Sequence, residues 1–80
     1  MVRAKVKMYG ALWCGDCLRA KQFFNERDIP YEWIDVQQNP EQMKFVEKVT
    51  HGMRSIPTIV FEDGSILVEP TNAELAAKVA

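Results

Sequence analysis

Apolar and polar positions alternate from the first residues of the chain, with Val2, Ala4, Val6 and Met8 set against Arg3, Lys5, Lys7 and Tyr9. A period of two predicts a first strand. Gly10 to Trp13 is expected to leave the sheet. From Cys14 to about Glu26 (CGDCLRAKQFFNE) the pattern changes to a proline-free, helix-favouring run whose apolar face is Leu18, Ala20, Phe23, Phe24 and the methylenes of Lys21. Asp28-Ile29-Pro30 breaks that helix, and residues 31–36 (YEWIDV) are aromatic and β-branched, which predicts a second strand.

Asn39-Pro40-Glu41-Gln42 reads as a helix start, with Asn39 as cap, proline in the first turn and Gln42 placed to complete a capping box. Met43, Phe45, Val46 and Val49 supply its buried face, and Gly52 its stop. Residues 57–61 (PTIVF) predict a strand, Glu62-Asp63-Gly64-Ser65 a hairpin, and Ile66–Val68 an antiparallel return. Thr71 with Glu74 three residues on is a capping-box signature for a last helix, Asn72–Val79. The order is β-α-β-α-β-β-α, an α/β chain with no internal repeat, linker or low-complexity segment.

Eighty residues leave room for one domain over 1–80. Hydrophobic residues at 48% and charged residues at 26% exclude a disordered or fibrous chain. With Lys+Arg 10 against Asp+Glu 11, no broad positive field exists to attract a nucleic acid. The opening MVRAKVKMYG lacks the apolar run of a secretory leader, and no stretch reaches membrane-spanning length, so a cytoplasmic address and no membrane partner are expected. In a reducing cytosol, two cysteines spaced C-x-x-C point to catalysis or metal binding and away from a permanent staple.

Only a thiolate is nucleophilic, and an ordinary cysteine is mostly protonated at neutral pH. A helix N-terminus stabilises the anion through its unpaired N–H groups and its dipole. Cys14 occupies that place, behind the bulky Trp13, and Cys17 lies one turn deeper on the same face. The spacing suits attack by Cys14 on a disulfide sulfur, followed by attack of Cys17 on Cys14. The charge of Asp16 should partly offset the dipole at the thiolate. Two inert buried cysteines are the bland alternative. A closed zinc site in one chain would lack ligands, since two cysteines and one distant histidine fall short of four, so no metal site is assigned. A cluster shared between two chains stays open. His51 reads as a helix-end residue and not as a base.

Residues 9–21 (YGALWCGDCLRAK), Ser55-Ile56-Pro57-Thr58 and the Asp63-Gly64 hairpin together resemble the glutaredoxin-like proteins of the thioredoxin superfamily, and most closely the mycoredoxins. The likeness spans nearly the whole chain. It implies a thioredoxin fold, a four-stranded mixed sheet with three helices, and a cis Ile56–Pro57 bond facing the nucleophile. It also implies that Trp13, Ile56 and Pro57 contact substrate, the backbone at Ile56 pairing with it as an added strand. Where glutaredoxins carry a Gly-Gly pair and a following acidic pair for glutathione, this chain has Val68-Glu69-Pro70-Thr71-Asn72. Thr71 and Asn72 are the remaining candidates for binding a thiol there, with helix capping as their plainer role. Gly15-Asp16 also departs from the Pro-Tyr of glutaredoxins and the Gly-Tyr usual in mycoredoxins.

The resemblance implies a monomeric thiol–disulfide oxidoreductase with no bound cofactor, using mycothiol, bacillithiol or glutathione as co-substrate. Its expected partners are disulfide or S-thiolated proteins and a thioredoxin or mycothiol reductase system. A dithiol donor to ribonucleotide reductase and an iron–sulfur carrier are the alternatives. Arg19, Lys21 and Arg54 are the cations nearest the expected cleft and could steer an anionic thiol.

Overall fold

The computed structural model describes residues 6–80. It contains β1 (Lys7–Gly10), α1 (Gly15–Glu26), β2 (Glu32–Asp35), α2 (Pro40–Val49), β3 (Thr58–Val60), β4 (Ile66–Val68) and α3 (Asn72–Val79). The expected order therefore holds. The four strands form one sheet in the order β2-β1-β3-β4, with β1 parallel to β2 and antiparallel to β3, and β3 antiparallel to β4.

β1 is a central strand, paired along both edges, and apolar clusters lie on both of its faces. On one face Val6, Met8, Ile59 and Phe61 pack against Ala20, Phe23 and Phe24 of α1 and Leu75 of α3. On the other, Tyr9 and Val36 meet Val46 of α2, with Phe45 stacked on Tyr9 at 4.8 Å. The alternation of sides holds over Val6, Met8 and Tyr9, and the second side carries a core of its own around Tyr9. Gly10 also stays in the strand, and the expected strand positions 2–5 lie outside the described residues.

Local chemistry explains the helix ends. Thr71 Oγ1 accepts from the Glu74 N–H at 3.1 Å and Glu74 Oε1 accepts from the Thr71 N–H at 2.8 Å, the expected capping box of α3. The box expected at α2 does not form. Asn39 turns its side chain back, donating Nδ2–H to the Asp35 carbonyl at 3.0 Å, because Asp35 organises the preceding turn by accepting from the Gln37 N–H at 2.8 Å. α2 ends at Val49, ahead of Gly52, whose φ of +89° suits the turn that follows. Leu18 is a further correction. It is exposed, and the buried face of α1 is Cys17, Ala20, Phe23 and Phe24.

Candidate active site

Cys14 caps α1, with extended backbone, and its Sγ accepts from the Cys17 N–H at 3.4 Å. A sulfur held there meets an unpaired backbone donor of the first turn, the local form of the helix-terminus effect. Cys14 is half-buried, whereas Cys17 is wholly buried. Both are free thiols. The difference follows from the helix: position 14 lies at the tip of the 11–14 turn, closed by the Cys14 N–H to the Ala11 carbonyl at 3.1 Å, and position 17 faces the sheet.

Burial pushes the Cys17 thiol up to about 12, with its hydrogen bond to Cys14 acting in the same direction. Cys17 is therefore a thiol at neutral pH. The reduced protein is expected to lose stability as pH rises from 9.0 toward about 12, because in that window unfolded Cys17 sheds its proton and folded Cys17 keeps it. Tyr9, raised above 10.0 mainly by burial, adds in the same direction at the upper end. Urea midpoints taken between about pH 8 and about pH 11 check this, and Cys17→Ser should flatten the slope; an unchanged slope in that variant would count against the assignment.

The second wall is the segment before β3. Ile56-Pro57 is a cis peptide bond, as expected, and the Ile56 carbonyl lies 3.9 Å from Cys14 Sγ. The approach of that segment is prepared by Thr50, whose buried hydroxyl bonds the carbonyls of Val46 and Met53, and by Thr58, whose hydroxyl donates to Ser55 O at 2.8 Å. Trp13 projects into solvent beside Cys14, 68% exposed, with Leu12 also exposed.

The 69–72 loop is bonded to the cis-proline segment: its Glu69 N–H donates to Pro57 O at 2.9 Å. Thr71 is occupied as the α3 cap, and Asn72 Oδ1 accepts from Arg19 Nη1 at 2.6 Å. The structure thus brings Cys14, Cys17, Ile56 and Pro57 together, and joins Thr71 and Asn72 to them through backbone and through Arg19. Lys21 lies over the Trp33 ring at 4.2 Å, and Arg54 is exposed. His51, with φ of +60°, follows the end of α2.

The sequence reading gave Gly10 no part in the site. A Cβ there would lie 2.6 Å from Cys17 Sγ and 2.9 Å from the Trp33 ring, so the strand approaches the buried thiol where only glycine leaves space. A lone glycine inside an alternating run was the available signal. Among the described residues no group of three or more His, Cys, Asp or Glu is placed to hold a metal ion, and no helix is long and apolar enough to cross a membrane.

A half-exposed thiol at a helix start, backed by a buried one and faced by a cis-proline segment on this sheet, defines a thiol–disulfide oxidoreductase of the thioredoxin fold. Residues 6–66 match the family model described as Glutaredoxin. The chain is 38% identical over 79 residues to a Mycobacterium tuberculosis protein assigned by name to the glutaredoxins, covering 99% of this chain and 94% of that one. It is 32% identical over 76 residues to mycoredoxin 1 of Corynebacterium glutamicum, covering 95% and 94%. A solved variant of the thioredoxin-like protein BC3987 shares the fold, at 22% identity and a TM-score of 0.83 over 95% of this chain and all 100% of that one. The chain belongs to the glutaredoxin family.

Proposed function

We propose that this chain, acting as a single domain over residues 1–80, reduces mixed disulfides between proteins and a low-molecular-weight thiol in the cytoplasm. Cys14 thiolate attacks the small thiol's sulfur in the mixed disulfide. The S–S bond breaks, the protein leaves as a thiolate that takes up a proton, and Cys14 is left disulfide-bonded to the small thiol. A second small-thiol thiolate then attacks that sulfur, forming the small-thiol disulfide and returning Cys14 thiolate. Alternatively Cys17 attacks Cys14 Sγ, the small thiol leaves, and the Cys17 proton passes to it, which closes the Cys14–Cys17 disulfide.

The observation that carries this reading is the contrast between a half-exposed Cys14, whose sulfur accepts an N–H bond, and a wholly buried Cys17 behind it. An accessible sulfur meets the substrate and an enclosed one waits for the intermediate. Trp13, Ile56 and Pro57 contact the disulfide-bearing substrate, and Thr71 and Asn72 line the small thiol's polar end. The co-substrate is mycothiol, bacillithiol or glutathione, recharged by its own reductase. The 32% identity to a protein named mycoredoxin supports mycothiol first.

A second reading, a dithiol donor to protein disulfides such as that of ribonucleotide reductase, is favoured by the placement of Cys17 and would require it. Coupled turnover with each of the three thiols, and with thioredoxin reductase, separates the two. Cys17→Ser is expected to keep at least about half of the small-thiol turnover and to lose reduction of protein disulfides. Loss of both activities in Cys17→Ser would contradict the one-cysteine route.

A further inference from the structure

The 69–72 loop, which joins β4 to α3, is held at two points. On the sheet side, the Glu69 N–H bonds Pro57 O, next to the Ile56 carbonyl that faces the sulfur. On the helix side, Arg19 reaches across more than fifty residues of chain: Nη2 donates to the Pro70 carbonyl at 2.9 Å and Nη1 to Asn72 Oδ1 at 2.6 Å. The same Nη2 lies 3.6 Å from Asp16 Oδ1, inside the C-x-x-C motif. The result is a closed circuit of contacts running from Cys14 through α1 to Arg19, on to Pro70 and Asn72, back through Glu69 to Pro57 and Ile56, and so to Cys14.

Arg19 shares the shaping of this loop with the Thr71–Glu74 capping box and with Pro70, which is fully buried. The loop's other side chains have little apolar anchorage: Val68, Glu69, Thr71 and Asn72 are exposed. Glu69 sits in the left-handed region, with φ of +48°, which an L residue adopts only when its surroundings impose it. Guanidinium is suited to the task, since a planar fork can hold two differently placed acceptors at once where an ammonium cannot. The cation named in the sequence as a possible steering charge is therefore already occupied, with its N–H groups directed at the protein.

We infer that Arg19 is a positioning residue for the small-thiol half of the reaction: by bridging Asp16 to Pro70 and Asn72 it holds the 69–72 loop against the cis-proline segment that faces Cys14, and so sets affinity for the thiol moiety and not reactivity of the nucleophile. The inference rests on the proposed role of Thr71 and Asn72 at the polar end of that thiol.

The test uses a peptide carrying a mixed disulfide with glutathione, mycothiol or bacillithiol, the matching thiol as reductant, and the variants Arg19→Met and Arg19→Lys. Arg19→Met should raise KM for the peptide roughly five- to tenfold with kcat within about twofold, the size expected for two charge-assisted hydrogen bonds at a partly exposed site. Arg19→Lys, which keeps the charge without the fork, should fall between. Iodoacetamide should alkylate Cys14 within about twofold of the wild-type rate in both variants, because the Arg19–Asp16 pair is partly exposed and screened, and exchange of the Glu69 amide should quicken in Arg19→Met, which a loss of global stability alone would not confine to that loop. An unchanged KM, or a fall in kcat that tracks slower alkylation, overturns the inference. Wild-type protein that turns over none of the three mixed disulfides overturns the proposed function and this inference together.

Discussion

Cys14→Ser is expected to reduce turnover of any disulfide substrate to background, a loss of at least roughly a thousandfold, or about 4 kcal/mol of transition-state stabilisation. The size of the effect comes from Cys17 being unable to take over. It is wholly buried, and burial pushes its thiol well above the ordinary cysteine range, so it stays protonated at pH 7. Removing Cys14 lifts its hydrogen bond and its charge from Cys17, but burial, the largest cause of the shift, remains. Serine fits the cap position, so the fold should persist. Steady-state turnover and alkylation of the purified variant check this together. Residual activity above a few per cent would mean that Cys17 meets substrate directly, and the division of labour would have to be reversed.

Gly10→Ala should separate the two half-reactions. The new Cβ would stand 2.6 Å from Cys17 Sγ and 2.9 Å from the Trp33 ring, both inside any tolerated contact. The backbone has little freedom to give way, because β1 is paired on both sides and the Gly10 carbonyl accepts from the Val36 N–H at 3.0 Å. Trp33 is steadied by Lys21 above its ring. Strain of this kind costs about 1–3 kcal/mol of stability. Moving the buried sulfur should slow formation of the Cys14–Cys17 disulfide by roughly ten- to a hundredfold, while turnover that uses Cys14 alone stays within about twofold. Urea unfolding gives the first number, and quenched-flow trapping of the Cys14 mixed disulfide the second. Wild-type stability with a wild-type resolving rate would show that the seat is roomier than the distances allow.

What the chain discloses from its residues alone is what short-range chemistry controls. The C-x-x-C spacing at a helix start, the Thr71–Glu74 capping box and the Asp63-Gly64 turn each depend on neighbours within a few positions, and each has the expected form. The cis Ile56-Pro57 bond came from the family resemblance and was found. The misreadings arise where partners are distant or compete. β1 alternates as the sequence pattern predicts, but its second face is covered as well, so Tyr9 is buried opposite Met8. Asn39 had two uses for one side chain, and Asp35 took it. Leu18 fits a helical apolar stripe, yet at the first turn of α1 nothing lies over it. Arg19 joins residues 51 and 53 positions away, a separation that no local pattern encodes.

The turn between β3 and β4 lies at the opposite end of those strands from Pro57 and Glu69. Gly64, with φ of +86° and no heavy atom within 4 Å of where a side chain would start, marks its open tip. The turn is nonetheless stiff, since Asp63 accepts from the Ser65 N–H and hydroxyl and pairs with Lys78 at 2.7 Å. A dye, a resin linkage or an electrode tether attached there would leave the sulfur facing outward, so the molecule comes with a handle on its blunt side.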